Sequence, residues 1–348
     1  MQDKTVSTLL GEFSELHVAP LEARLARRER TLGDIARLVA SAGAGDGLAG
    51  RLSDLLRREG LLEGTGLAPS AVERLYSSHV DFDVVNTQND TEFELFQKMD
   101  IVGWWRARRF FEPVFKCLSH TKENSWITVG DPFGADAFHM TREGFKSVLP
   151  TSIGEHLLRQ SKQRGLIRDY RVENAEALSF KDDSVDYVLC KEAFHHFPRP
   201  MVALYEMLRV ARKAVVLIEP QDPLIDHPAY VGDWPAGYEA SGNYVYTLSR
   251  RELHKVALGL DLPAVATRGL YDLWYEGASE IVAREDNPEF VDYRQKVEAA
   301  ETLCARHQQK YNYLLAIVYK ERPDIDVRQF SGLWSITSFP GNPYISKK

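Results

Sequence analysis

From Ser125 onward the chain alternates short apolar, β-rich runs with amphipathic stretches. "WITVG" (126–130), "FKSVLP" (145–150), "RDYRVE" (168–173), "VDYVLC" (185–190) and "KAVVLIEP" (213–220) read as strands. "GEHLLRQSKQRG" and "RPMVALYEMLRVAR" carry the three-to-four-residue apolar spacing of helices between them. Strands that alternate with helices in this way form a parallel sheet with right-handed crossovers, covered by helices on both faces. Two later runs, "AVATRGL" (264–270) and "YLLAIVY" (313–319), bring the expected strands to seven. The first hundred residues differ. Leu9, Phe13 and Leu16, then Leu21, Leu25, Leu32, Ile35 and Val39, recur at helical spacing on either side of Pro20. The small-residue run "SAGAGDGLAG" interrupts them before Leu52, Leu55 and Leu56 resume the pattern. The expected organisation is an N-terminal helical module over 1–100, an α/β domain over 101–322 with an aromatic-rich insertion at about 221–263, and a tail over 323–348. "WWRARRFF" (104–111) precedes the first strand and reads as a lid or, by preference, as a helix packed beneath the sheet.

Composition narrows the chemistry. With 348 residues, 44% of them hydrophobic, the chain can bury a full core. A net charge of −7 argues against a grip on nucleic acid, which needs a basic face, and favours a small-molecule or glycan substrate. Cys117, Cys190 and Cys304 are isolated thiols without metal or disulfide spacing, which fits a reducing compartment. No window approaches the roughly 18 apolar residues of a membrane span, and the N-terminus lacks the pattern of a secretory signal, so the expected location is the cytoplasm.

Two stretches carry candidate chemistry. "ITVGDPFGADAFHM" (127–140) ends a strand and turns through Gly130, Pro132 and Gly134, the place where an open parallel sheet brings backbone amides to a nucleotide cofactor. A glycine turn alone is weak. Residues 174–220, "NAEALSFKDDSVDYVLCKEAFHHFPRPMVALYEMLRVARKAVVLIEP", are more specific. They resemble the class I S-adenosylmethionine-dependent methyltransferases, which carry an acidic-Ala turn, a Ser-Phe-Asp-x-Val-like strand, a His-His turn, a helix ending Leu-Arg-Val and a strand ending Glu-Pro. The resemblance covers roughly 101–322. It implies a Rossmann-like seven-stranded sheet in the order 3-2-1-4-5-7-6 and S-adenosylmethionine as cofactor.

Carried over by position, the resemblance implies cofactor contacts from Gly130, Asp131, Pro132, Phe133 and Gly134 in the first loop. Ser152 at the end of the second strand, Asn174, Ala175 and Glu176 after the third, and Lys191 after the fourth complete the set. The sequence departs from the family in two places. Thr128 and Pro132 replace the leading acid and the middle glycine of the loop, and Ser152 stands where an acid would hold the ribose hydroxyls. A hydroxyl can take one such bond but has no charge, so ribose binding is weaker or shared with another residue. Asn174 replaces an Asp and keeps an oxygen to accept the adenine amino group. Asp131 could face the methionine half of the cofactor or simply serve the turn, and Asp136 is placed to cap the following helix. His195 follows the fourth strand beside the expected methyl position and is the first candidate for a general base, against a structural role for the His-His pair. Glu192, Asp222 and Tyr244 are reserves; Glu219 and Asp222 end the fifth strand at the same rim, where a direct role for one of them stands second to a structural one. Trp234, Tyr238, Asn243, Tyr244 and Tyr246 offer polar-tipped rings suited to an acceptor pocket or to packing of a long loop.

The leading expectation is O-methylation of a small molecule or saccharide, with an overall pattern similar to methyltransferases of bacterial glycan gene clusters. A methyltransferase-fold protein without catalysis, whose helices form an interaction platform, is the alternative. "TLGDIARLVA" followed by "LSDLLRREGLLEG" faintly resembles the winged-helix dimerisation region of some small-molecule O-methyltransferases, which would make the N-terminal helices a homodimer surface; a plain helical cap or packing arm is the preferred reading. A nicotinamide-dependent oxidoreductase would want G-x-G-x-x-G and a later acid, and neither is present.

Overall fold

Eight strands form one sheet in the order β3-β2-β1-β4-β5-β7-β6-β8. The computed structural model describes residues 69–85, 89–222, 244–323 and 333–342. By internal contacts the chain divides into two compact units, Met1–Ser77 and Ser78–Lys348. The helices expected over Leu9 to Leu56, and Trp234, Tyr238 and Asn243 of the insertion, lie outside the described residues. The strands are β1 (Ser125–Val129), β2 (Ser147–Ser152), β3 (Arg171–Val172), β4 (Val185–Lys191), β5 (Ala211–Pro220), β6 (Ala264–Leu270), β7 (Tyr313–Tyr319) and β8 (Ser335–Ser338). Neighbouring pairs among β1 to β5 run parallel. β7 runs antiparallel to β5 and β6, and β8 antiparallel to β6. The seven expected strands are thus present in the expected order, with one more at the edge.

The central strands are apolar throughout because both faces are covered. Along β5, Val215 and Leu217 belong to one core, and Ala214, Val216 and Ile218 to the other. β7 repeats this with Leu314, Ala316 and Val318 against Leu315, Ile317 and Tyr319. The first core is closed by Ala203, Leu204 and Met207 of α6 (Pro200–Val210) and by Leu253, Val256 and Ala257 of α7 (Arg250–Gly259). Their starts follow local chemistry. Pro200 opens α6 with its fixed φ, and Ser249 and Glu252 form a reciprocal capping box on α7.

The second core is aromatic and rests on α3 (Val102–Cys117), preceded by α1 (Pro69–Val85) and α2 (Asn89–Leu95). Phe110, Phe111, Val114 and Phe115 of α3 meet Trp126, Phe145 and Tyr187 there. Phe111 stacks on Phe115, and Trp126 on Tyr187 with ring centroids 4.5 Å apart. "WWRARRFF" is therefore a packed helix face. α4 (Ala135–Arg142) adds Met140 to this core. α5 (His156–Gln163) follows β2, and α8 (Pro288–Ala305), capped by Asn287, packs Phe290, Tyr293 and Val297 against Val102 in a smaller third cluster. All three cysteines are buried, and burial pushes the Cys117 thiol up to about 12. No helix among the described residues is long and apolar enough to cross a membrane.

Phe145 is 1% exposed and sits between Phe115 and Trp126, away from the strand ends that carry the site. Phe145→Ala should lower folding stability by about 3–5 kcal/mol through the lost contacts and the cavity left behind. Urea unfolding of the variant beside the wild type measures this.

Candidate active site

The loop after β1 is shaped by two glycines. Gly130 and Gly134 have φ of 71° and 64°. A Cβ at Gly130 would stand 2.5 Å from the Ala193 Cβ, and one at Gly134 would stand 2.7 Å from Ile167 Cγ2. Backbone conformation and space both require glycine there. Between them, Asp131 is buried and its carboxylate turns back on the chain. It accepts from Thr128 Oγ1 at 2.8 Å and from the amides of Asp136 and Ala137 at 3.3 and 3.1 Å. The capping expected of Asp136 thus falls to Asp131. Phe133 packs on Phe93, and its carbonyl accepts from Ser161 Oγ.

At the end of β2, Ser152 is 6% exposed, and its carbonyl accepts from the Glu173 amide. After β3, Asn174 Oδ1 accepts from the Glu176 amide at 2.9 Å, and the Asn174 carbonyl accepts from the Ala177 amide. These bonds fix the turn and leave the Ala175 amide outside its own pattern. Glu176 is buried, and its carboxylate takes the Arg199 amide at 2.7 Å and pairs with the Arg199 guanidinium. Asp131, Asn174 and Glu176 thus spend oxygens on intrachain bonds, whereas Gly130, Pro132, Gly134, Ser152 and Ala175 line the first three strand ends. A turn with two glycines, a hydroxyl at the second strand and an amide-bearing turn at the third form a donor set that fits an adenosine cofactor.

Beyond β4 lie two polar clusters. In the first, Lys191 Nζ bonds Glu192 Oε2 at 2.6 Å and lies 3.6 Å from Asp136 Oδ1, above the rings of Phe110 and Phe111. Tyr313 OH donates to Glu192 Oε1 at 2.7 Å. Despite burial, the Lys191 ammonium and the Tyr313 hydroxyl hold Glu192 down to about 2. Burial raises Asp136 to about 7 against the pull of Lys191. Glu192 has a φ of 49°, a left-handed backbone held by its amide bonding the Ile218 carbonyl. Sequence reasoning placed Lys191 at the cofactor but missed Tyr313, which reaches Glu192 across 121 residues.

In the second cluster, Glu219 on β5 has no solvent exposure. Its Oε1 accepts from the amides of Ala193 and Phe194, both at 3.0 Å, and from Cys190 Sγ at 3.7 Å. Its Oε2 lies 2.7 Å from His195 Nδ1. A carboxylate accepts, so Nδ1 carries the proton and Nε2 is the basic nitrogen. His195 and His196 occupy a 3-10 turn, Phe194–His196, with rings 4.3 Å apart. Burial and the Glu219 carboxylate push the Cys190 thiol well up, which makes it inert. The Asp222 amide bonds the Leu248 carbonyl, which ties the end of β5 to the stretch from Tyr244. Tyr246 in that stretch packs on Phe194 and donates to Glu252, whereas Tyr244 is 47% exposed. Of the four catalytic candidates, His195 is thus enclosed, Glu192 and Asp222 are partly buried and Tyr244 is open. Among the described residues no group of three or more His, Cys, Asp or Glu could hold a metal ion.

Residues 127–218 match the family described as a methyltransferase domain. With the strand order above, this defines the domain as a class I methyltransferase, an enzyme domain that uses S-adenosylmethionine. No curated protein matches the chain significantly. Among solved structures, a methyltransferase from Thermotoga maritima is 13% identical, covers 71% of this chain and 100% of its own, and has a TM-score of 0.43. The magnesium protoporphyrin IX methyltransferase of Synechocystis, with bound S-adenosylmethionine, is 13% identical over 73% of this chain and 99% of its own, at a TM-score of 0.42. A phosphoethanolamine N-methyltransferase of Haemonchus contortus is 12% identical over 71% of this chain and 60% of its own, at 0.48. Likenesses at this level say nothing of what this chain acts on.

The depressed pKa of Glu192 sets a pH dependence. Its folded-state value lies below the ordinary 4.5, so its contribution to stability is full above that value and is lost as pH falls towards 2. The contribution is at most about 3 kcal/mol. Glu192→Gln should lower the urea midpoint at neutral pH and flatten its fall on acidification between about pH 5 and 3.

Proposed function

We propose that this methyltransferase alkylates an oxygen of a small-molecule or saccharide acceptor, with His195 as general base and Glu219 as its positioning partner. The observation that carries this reading is the contact of 2.7 Å between His195 Nδ1 and a carboxylate wholly removed from solvent. When bound, S-adenosylmethionine supplies a methyl group on a sulfonium sulfur, whose leaving form is a neutral thioether. The leaving side therefore needs no acid. An acceptor hydroxyl must lose a proton as its C–O bond forms, and that proton goes to His195 Nε2. Glu219 holds the tautomer that leaves Nε2 basic and favours the imidazolium that results, as the buried acid of a catalytic triad does. Glu192 is the weaker base, because a carboxylate held near 2 has little affinity for a proton.

Asn174, Ala175, Ser152 and the loop 130–134 bind the cofactor in this reading, and Lys191 stiffens the rim through Glu192 and Asp136. Tyr246 and the stretch from Tyr244 stand on the acceptor side, next to the histidine turn. We place the protein in glycan or small-molecule modification on the strength of this hydroxyl-directed site.

Calorimetric titration of the full chain with S-adenosylhomocysteine comes first; a protein that binds none would be the catalytically silent alternative. Asn174→Leu should weaken that binding by about 1–3 kcal/mol, and Asn174→Asp, which keeps both acceptor roles, should not. Once a panel of hydroxylated saccharides and phenols has given a product heavier by one methylene, His195→Ala should lower kcat about 10²- to 10⁴-fold with cofactor affinity unchanged. Its pH profile should lose the acid limb that belongs to imidazole. Glu219→Gln should lower kcat in the same direction and shift that limb, whereas a folded His195→Ala enzyme with full turnover would return the histidine to a structural role.

A further inference from the structure

In an open α/β sheet the ribose hydroxyls of an adenosine cofactor are held by an acid roughly 20 residues beyond the glycine turn. Here that place at the end of β2 holds Ser152. A carboxylate does approach it from another element. On α1, His79 and Asp83 stand four residues apart, hence on one face. His79 Nε2 lies 3.2 Å from the His196 carbonyl oxygen, and the two rings meet edge-on at 5.3 Å. Asp83 Oδ2 and Val80 Cγ2 lie 3.5 and 3.9 Å from where a Cβ on Gly154 would stand, two residues beyond Ser152. The residues of α1 from His79 to Asp83 therefore touch the turn after β4 and the loop after β2. Because β1 lies between those strands, the two contacts stand on either side of the strand end that carries the glycine loop.

We infer that Asp83 is a cofactor-binding residue: its carboxylate takes the ribose hydroxyls over the end of β2, in place of the acid that Ser152 does not supply. This rests on the S-adenosylmethionine site described above. A vicinal diol presents two O–H donors side by side, which a carboxylate accepts in pairs, and bonds to a charged acceptor are about twice as strong as neutral ones. Ser152 Oγ can take no more than part of that role. Even a Cβ at Gly154 would stand at ordinary contact distance from Asp83 and Val80, so this part of the helix lies directly against the turn after β2. Enclosure raises the Asp83 carboxyl to about 6, so the ionised form gains from each hydroxyl donor brought to it. The same geometry makes the second half of α1 a roof over the adenosine, with His79 as its second anchor.

The test titrates the full-length protein with S-adenosylhomocysteine and with its analogue that lacks both ribose hydroxyls. Asp83→Asn should weaken binding of S-adenosylhomocysteine about 10- to 100-fold and leave that of the dideoxy analogue within about twofold. Ser152→Asp added to Asp83→Asn should restore much of the loss, since it returns the acid to the strand. Ser152→Asp alone should weaken binding, because two carboxylates then crowd one diol. Equal loss for both probes, or no loss, overturns the role of Asp83 while the cofactor site stands. A wild-type protein that binds S-adenosylhomocysteine poorly and the dideoxy analogue equally well overturns the role as well. No binding of either probe by the wild type removes the cofactor site, and this inference with it.

Discussion

A carboxylate without solvent exposure organises the site. Glu219 can occupy the interior only because both oxygens are used: Oε1 by the amides of Ala193 and Phe194, Oε2 by His195. An unpaired charge so placed would cost several kcal/mol, and paired it dictates where its donors must be. The turn after β4 is thereby fixed to β5. Ala193, held by its amide, brings its methyl so close to Gly130 that any side chain at 130 would collide with it. Gly130 is thus required by the same carboxylate that orients the candidate base.

A second network stiffens the other side of the rim by a different balance. Lys191, Glu192, Asp136 and Tyr313 bring the ends of β4 and β7 and the start of α4 together. Two acids share one ammonium there. Glu192 has the shorter contact and the tyrosine, and is held ionised; Asp136 has the longer one, and burial raises it. Phe110 and Phe111 close the floor beneath the ammonium, so the aromatic core of α3 and the electrostatics of the rim depend on each other. Arg106 and Asp272 form a further buried pair on the same helix, which ties α3 to the end of β6.

What could be read from the sequence follows from how local each cause is. β1, β4, β5, β6 and β7 were legible because strands buried on both faces are apolar runs of the right length. β8 was not: "SITS" has one aliphatic residue and pairs only with β6. β3 was expected over six residues and pairs over two, both exposed. The glycine loop and the histidine turn were visible as motifs, and Glu219 was visible as one of two acids at the end of a strand. The interactions that decide their roles were not, because they join distant segments: Tyr313 to Glu192, Asp83 to the loop at Gly154, Arg199 to Glu176. No periodicity records a contact that only packing creates.

The departures in the first loop acquire a physical sense in this light. A helix that follows such a loop usually offers its first amides and the positive end of its dipole to an anion, which is how dinucleotide enzymes hold a pyrophosphate. Here Asp131 already occupies the amides of Asp136 and Ala137 at the start of α4, and Thr128, in place of the family's leading acid, donates to that same carboxylate. The anion site is filled from within the chain. A pyrophosphate brought to this helix would have to compete with Asp131 for those amides, even though burial pushes the Asp131 carboxyl up towards its neutral form. An adenosine cofactor that carries a sulfonium and no phosphate meets no such conflict. The loop that looks damaged as a dinucleotide site is therefore internally consistent as a site for S-adenosylmethionine: it keeps the glycines that packing demands and replaces the anion it does not need to bind.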